Sequence, residues 1–206
     1  MRDKQLFCAS IKWTGKLAEI RDDPKGKHVE RVQRYFEILL KKAIETEMYK
    51  SEAAAWDVEA MLLASALHDV GKIMISDSIL LKRSRLNPRE FEDMQKHCIF
   101  GKALLEDMLG QEGARPFVDY AINIAYYHHE KWDGTGYPEG LKGSAIPLEA
   151  RIMALVDVYD ALVSERPYKL PYSHENAMEI IQEGSATHFE PALVELFVSL
   201  SDEIKS

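Results

Sequence analysis

Two adjacent histidines, His128 and His129, open the run HHEKWDGTGYP, which ends at Pro138. Neighbouring residues on a regular element point in different directions, so two imidazoles side by side suit metal contacts better than one apolar face. Other polar residues also stand where apolar ones belong. Asp157 and Asp160 interrupt the apolar stretch Ile152–Val163, IMALVDVYDALV. Three apart, they share a helix face, and a buried lone carboxylate is costly unless paired, protonated or bound to a metal. An arginine or a neighbouring turn is the ordinary partner for one such Asp; Asp157 is assigned to a metal.

His68-Asp69 closes another apolar run just before Gly71-Lys72. The last turn of a helix leaves unsatisfied carbonyls and a partial negative charge that favours a cation. Alone, His68 reads as a core histidine, His97 as a partly exposed helical one and His28 as a polar helix end. Together, His28, His68, Asp69, His97, His128, His129 and Asp157 supply five imidazoles and two carboxylates. That exceeds what one ion takes, so two divalent ions bridged by Asp69 are expected. A donor set without thiolate suits iron or manganese first, with zinc, cobalt or nickel as alternatives. Lys72 adds a fixed positive charge for a phosphate. His174 and His188 are left over and read as structural.

These residues must be positioned by helices. Val32, Tyr35, Phe36, Leu39, Leu40 and Ala43 recur at three-four spacing within a helix from His28 to about Lys50, and a second helix follows from Trp56 to Val70. Gly71 is expected to stop that second helix with a left-handed cap. Asn87-Pro88-Arg89-Glu90 predicts a helix start with a capping box. Further helices are expected at Phe117 to His128, Pro147 to Val163, Ser173 to Gln182 and Glu190 to about Asp202, with a weaker one before Leu17. That makes about seven helices and no alternating strand pair. The long segments Ser76–Asn87 and Lys131–Ile146 read as functional loops.

The 206 residues suit one domain, 1–206, with 1–20 as an N-terminal helix or extension. A net charge of −8 argues against a nucleic-acid-coating protein. Cys8 and Cys98 have no disulfide or metal spacing and read as free thiols of a reducing compartment. No run approaches the roughly 20 apolar residues of a membrane span, so a cytoplasmic protein is expected.

The His68–Lys72 motif followed by His128–Pro138 resembles the HD-GYP family, a branch of the HD metal-dependent phosphohydrolases, and the likeness runs from His28 to Pro191. It implies an all-α bundle with a central metal site. The implied activity is hydrolysis of the cyclic dinucleotide c-di-GMP to linear pGpG, in some members onward to GMP, by a metal-activated water at a binuclear centre. The family's metal ligands fall on the seven residues above. Asp69 and Lys72 take the catalytic positions, and Lys72, Gly136, Tyr137, Arg166 and Lys169 the substrate contacts. The loop of Asp133, Gly134, Gly136, Tyr137 and Pro138 shapes the mouth, Gly134 and Gly136 permitting unusual backbone angles. Members with a third metal carry Glu four residues before the first ligand histidine; Pro24 stands there, which predicts two ions. The loop after Leu81 reads KRSRL where many members have a Lys-Pro-Gly turn. Two other readings compete: a non-catalytic module that senses c-di-GMP or docks a diguanylate cyclase (GGDEF) domain, and a phosphohydrolase for another cyclic dinucleotide such as cyclic GMP-AMP. An upstream receiver or sensor domain is the other partner the resemblance implies.

Overall fold

A computed structural model of the chain describes residues 2–21, 27–46, 49, 56–109, 115–165 and 170–205. Their architecture is all-α. The helices are α1 (Arg2–Glu19), α2 (His28–Glu45), α3 (Val58–Ala64), α4 (Asp77–Leu80), α5 (Pro88–Leu109), α6 (Arg115–Tyr127), α7 (Leu148–Val163), α8 (His174–Glu183), α9 (Pro191–Ser199) and α10 (Ser201–Lys205). Ten described helices exceed the seven expected. A four-residue helix lies inside the 76–87 loop, and the last predicted helix breaks at Leu200.

Local chemistry accounts for the boundaries. The Asn87 carboxamide accepts from Glu90 N at 2.9 Å and the Glu90 carboxylate accepts from Asn87 N at 2.8 Å, which completes the predicted capping box of α5. Ser173 caps α8 by accepting from Asn176 N. Along α2, His28, Val29, Val32, Tyr35, Phe36, Leu39, Leu40 and Ala43 form one buried stripe. The stripe packs on α7, whose Ile152, Met153, Leu155, Val156 and Tyr159 belong to the same core.

The second predicted helix, Trp56 to Val70, is not continuous. α3 stops at Ala64, a 3₁₀ turn spans Ser65–Leu67, and a second spans Val70–Met74. The Ser65 hydroxyl donates to Leu62 O at 2.7 Å, a local bond that competes with α-helical geometry. His68 and Asp69 therefore sit at a junction between two tight turns. α1, α2, α5 and α6 all pack around this 65–74 segment, which is the hub of the fold.

Gly71 does not adopt the left-handed conformation expected of it; among the described glycines only Gly134, Gly140 and Gly143 have positive φ. It is needed for close approach instead. A Cβ at Gly71 would lie 1.9 Å from His97 O and 2.4 Å from Gly101 N, so the hub presses directly on the α5 backbone. Arg21, just beyond α1, grips the other side, donating to the carbonyls of Lys72 (3.3 Å), Ile73 (3.2 Å) and Ile75 (2.8 Å) and pairing with Asp77. Cys8 and the buried Cys98 are free thiols, and no described helix is long and apolar enough to cross a membrane.

Two measurements check this packing. Gly71→Ala should lower unfolding free energy by about 3 kcal/mol in urea titration, because neither backbone can move aside. Glu149, buried on α7 with Asn123 donating to it at 2.7 Å, has its carboxyl raised above the ordinary 4.5, mainly by burial. The unfolded chain ionises first as pH rises, so this group costs stability at neutral pH. Glu149→Gln should then be more stable than wild type near pH 7, with the gap closing below about pH 4.5.

Candidate metal centre

Two groups of donor atoms meet at Asp69. One is Asp69, His97, His128 and His129; the other is Glu19, His28, His68 and Asp69; within each, the chosen atoms lie no more than 4.8 Å apart. Asp157 Oδ1 lies 3.4 Å from His28 Nε2. All seven residues expected as ligands thus converge, from the start of α2, the hub, α5, the end of α6 and α7. Helix α6 ends at Tyr127, so His128 and His129 occupy the turn beyond it and both rings face the first group, centroids 4.1 Å apart.

The separations are those of ligands around an ion. His28 Nε2 is 3.3 Å from His68 Nε2, His68 Nε2 is 3.3 Å from Asp69 Oδ2, and His97 Nε2 is 3.4 Å from Asp69 Oδ1. Donors bound at about 2.0–2.2 Å to one tetrahedral or octahedral cation are roughly 3.0–3.5 Å from each other. The outer ring nitrogens are already engaged. Nδ1 of His28 faces Asp160 Oδ2 at 2.7 Å, that of His68 faces Ser65 O at 3.2 Å, that of His97 faces Met94 O at 2.7 Å, and that of His128 faces Ile124 O at 2.9 Å. Since those partners only accept, each Nδ1 carries a proton, which leaves Nε2 as the ring atom turned toward the donor cluster. Both Glu19 oxygens, Asp69 Oδ1 and His128 Nε2 are buried without a hydrogen-bond partner among the described residues. Orphaned acceptors cost free energy, and divalent cations at the two donor groups would satisfy these atoms. The residues present fit a metal.

Electrostatics agree. Burial pushes His128 down to about 4, and burial also lowers His97 and His129, so these imidazoles stay neutral and available at pH 7. Burial lifts Glu19 to about 7 against the pull of His68 and His28. Burial alone would raise Asp69, but Lys72 and then His68 hold it well below the usual range, with Lys72 Nζ 2.7 Å from its Oδ2. For His68 burial is outweighed by Asp69 and Glu19, which raise it to about 10. A carboxylate field that retains a proton there also attracts a divalent cation. Asp160 does not point at the donor cluster. As expected of one member of its pair, it meets an arginine, Arg31, at 2.6 and 2.9 Å, and it orients His28. Burial would raise its carboxyl, yet Arg31 and His28 bring it to about 2.

The 133–138 loop is fastened to the same centre by Glu130. Its buried carboxylate accepts from the backbone N–H of Glu139 (2.7 Å), Gly140 (3.1 Å) and Leu141 (3.0 Å). Gly134 has φ +86°, as expected, but Gly136 has no left-handed angle; its Cβ would stand 2.3 Å from Lys131 N, so contact rather than conformation requires glycine. The Tyr137 ring stacks on His129 with centroids 4.9 Å apart, and Pro138 follows a cis bond. Asp133 is a turn former, accepting from Thr135 N and Oγ1. His174 bridges Tyr159 and Ser201, and His188 stacks on Phe189, both outside the centre. Arg166, Lys169 and Pro24 lie outside the described residues.

Glu19 was missed from sequence because residues 1–20 read as an extension. Its signal is a carboxylate in line with Ile11 and Ala18, the buried face of α1. Glu130 and Arg31 were also missed; a carboxylate beside His129 and a guanidinium three residues after His28 carry no distinctive spacing.

A model of the HD domain matches residues 16–193. The chain belongs to the HD domain family. Within it, this HD domain carries the HD-GYP signature. It is 45% identical over 96% of its length to a probable cyclic di-GMP phosphodiesterase of Vibrio cholerae, covering 44% of that protein. It is 40% identical over 91% of its length to a cyclic di-GMP phosphodiesterase of Thermotoga maritima, covering 48% of it. A 3′3′-cGAMP-specific phosphodiesterase 2 of V. cholerae is 42% identical over 90% of the chain, which covers 33% of that relative. The HD domain therefore spans less than half of these relatives. Among solved structures, Bd1817, an HDG"Y"P protein from Bdellovibrio bacteriovorus, superposes with TM-score 0.63 at 20% identity over 87% of this chain and 52% of its own, a likeness of fold.

Asp160→Asn would leave Arg31 without its anion and His28 without its orienting carboxylate. Metal affinity, measured by competition with a chromophoric chelator, should fall about 10–100-fold while the far-UV helical signal is retained.

Proposed function

We propose that this HD domain is a metal-dependent phosphodiesterase that opens c-di-GMP to linear pGpG. The observation that carries the reading is the pair of donor groups sharing Asp69, which supports two ions, iron or manganese first, held by His28, His68, Asp69, His97, His128, His129 and Asp157 with Glu19 as an additional donor. When bound, such ions supply Lewis acidity toward a phosphodiester and toward water. The chain's own residues do the rest. Lys72, with one-fifth of its side chain exposed, holds Asp69 in place and offers a cation to the non-bridging oxygens of the phosphate. Gly136 and Tyr137 build the wall beside His129, Tyr137 excluding water from that edge through its stack. Arg166 and Lys169 are assigned to the second phosphate by the family resemblance. The names of the V. cholerae and T. maritima relatives support c-di-GMP as substrate.

The 3′3′-cGAMP-specific relative favours a second reading, in which the mixed guanine–adenine ring is cut. A relative named as the response regulator RpfG, 42% identical over 68% of the chain, supports control by a receiver or sensor domain, and a diguanylate cyclase domain is the other partner in this proposal. Residues 1–206 are taken as a single domain acting in the cytoplasm.

Protein loaded anaerobically with Fe(II) or Mn(II) should convert c-di-GMP to pGpG on chromatography, faster than 3′3′-cGAMP. Chelation should abolish turnover, and His128→Ala should reduce kcat at least 100-fold. Tight binding of c-di-GMP by metal-loaded protein without any pGpG would replace the enzyme with a sensing module.

A further inference from the structure

The segment between α4 and α5, with the first turn of α5, holds a concentration of idle positive charge. Every other arginine with a described side chain has an acceptor: Arg21 on Asp77, Arg31 on Asp160, Arg34 on Glu203 O and Arg151 on Glu190. Arg83, Arg85 and Arg89 are exposed and have no hydrogen bond or ion pair among the described residues. Glu90 is taken by Lys82 and by the α5 cap, and Asp93 by Lys96, so neither carboxylate neutralises the three guanidiniums. In a chain of net charge −8, this is a local surplus suited to an electron-rich ligand.

The Lys82–Glu90 pair ties this segment to the first turn of α5, next to Phe91. Phe91, in the first turns of α5 and 48% exposed, meets the Tyr137 ring edge-on at 6.2 Å, and Tyr137 stacks on the ligand His129. Two ring contacts therefore lead from the donor cluster to a half-exposed phenyl ring two residues after Arg89 on α5. A cyclic dinucleotide held at the ions by one phosphodiester must place its bases to the sides. An exposed phenyl ring offers a stacking platform, and a guanidinium presents paired donors to O6 and N7 of guanine, which adenine, with an amino group at that edge, does not match.

We propose that Phe91 with Arg83, Arg85 and Arg89 forms a guanine-base subsite at the mouth of the metal centre. The subsite depends on the phosphodiesterase reading for its natural ligand, so the test uses a probe that separates the two. Cleavage of bis(p-nitrophenyl) phosphate by metal-loaded protein is inhibited with GMP and with AMP, and the inhibition constants are compared among wild type, Phe91→Ala and Arg83→Ala/Arg85→Ala/Arg89→Ala. All four positions are exposed, and circular dichroism checks the fold. Phe91→Ala should weaken both nucleotides about tenfold. The triple variant should weaken GMP about tenfold and erase the wild-type preference for GMP over AMP. Equal constants for GMP in all three proteins would overturn the subsite while leaving the phosphodiesterase reading intact. Wild type that cleaves the nitrophenyl ester but not c-di-GMP would overturn that reading, with the GMP comparison still deciding the subsite.

Discussion

The structure is organised by one buried carboxylate that has a hydrogen-bonding partner on only one of its two oxygens. Asp69 sits where α1, α2, α5 and α6 converge, with Lys72 on one oxygen and the imidazoles of its neighbour His68 and of His97 and His128 from two other segments around it. An anion at that depth is tolerable only if positive charge is supplied from inside. The lysine supplies part of it. The remaining orphaned acceptors, on Glu19, Asp69 and His128, mark what is still owed to a cation. Helices that would otherwise have apolar inner faces therefore each surrender one position to the centre.

This constraint explains the backbone of the hub. A regular helix through 56–70 would place His68 and Asp69 about 100° apart on one cylinder. Two 3₁₀ turns, with the junction between them, bring both residues to the same cluster. Pressing Gly71 against α5 brings His97 within reach, and stopping α6 at Tyr127 leaves His128 and His129 on a turn free to face inward. The orienting shell is equally specific. Three histidines are held by main-chain carbonyls of their own segments, whereas His28, first in its helix, borrows Asp160 from α7.

Much of this was legible from side-chain type and spacing. Histidines and aspartates in apolar company announce a polar centre whichever helices carry them, and the Asn87–Glu90 cap and the α2 stripe follow from local rules. The two glycine errors share a cause: they concern how closely one stretch of backbone passes another. Gly71 and Gly136 are glycines because another backbone passes too close for a Cβ, and no local pattern reports that. Glu19 received no assignment because residues 1–20 read only as a weak helix or extension. Asp160 meets an arginine, the ordinary partner expected for one member of the Asp157/Asp160 pair.

The grip of Arg21 has a consequence for how the molecule can be cut. The same helix end carries Glu19 into the centre and, two residues later, ties down the carbonyls of the turn that presents Lys72. A fragment chosen to begin at the first histidine would keep every residue of the recognisable signature and still forfeit a donor and a brace. The smallest excisable unit thus starts upstream of the motif that identifies it, within α1.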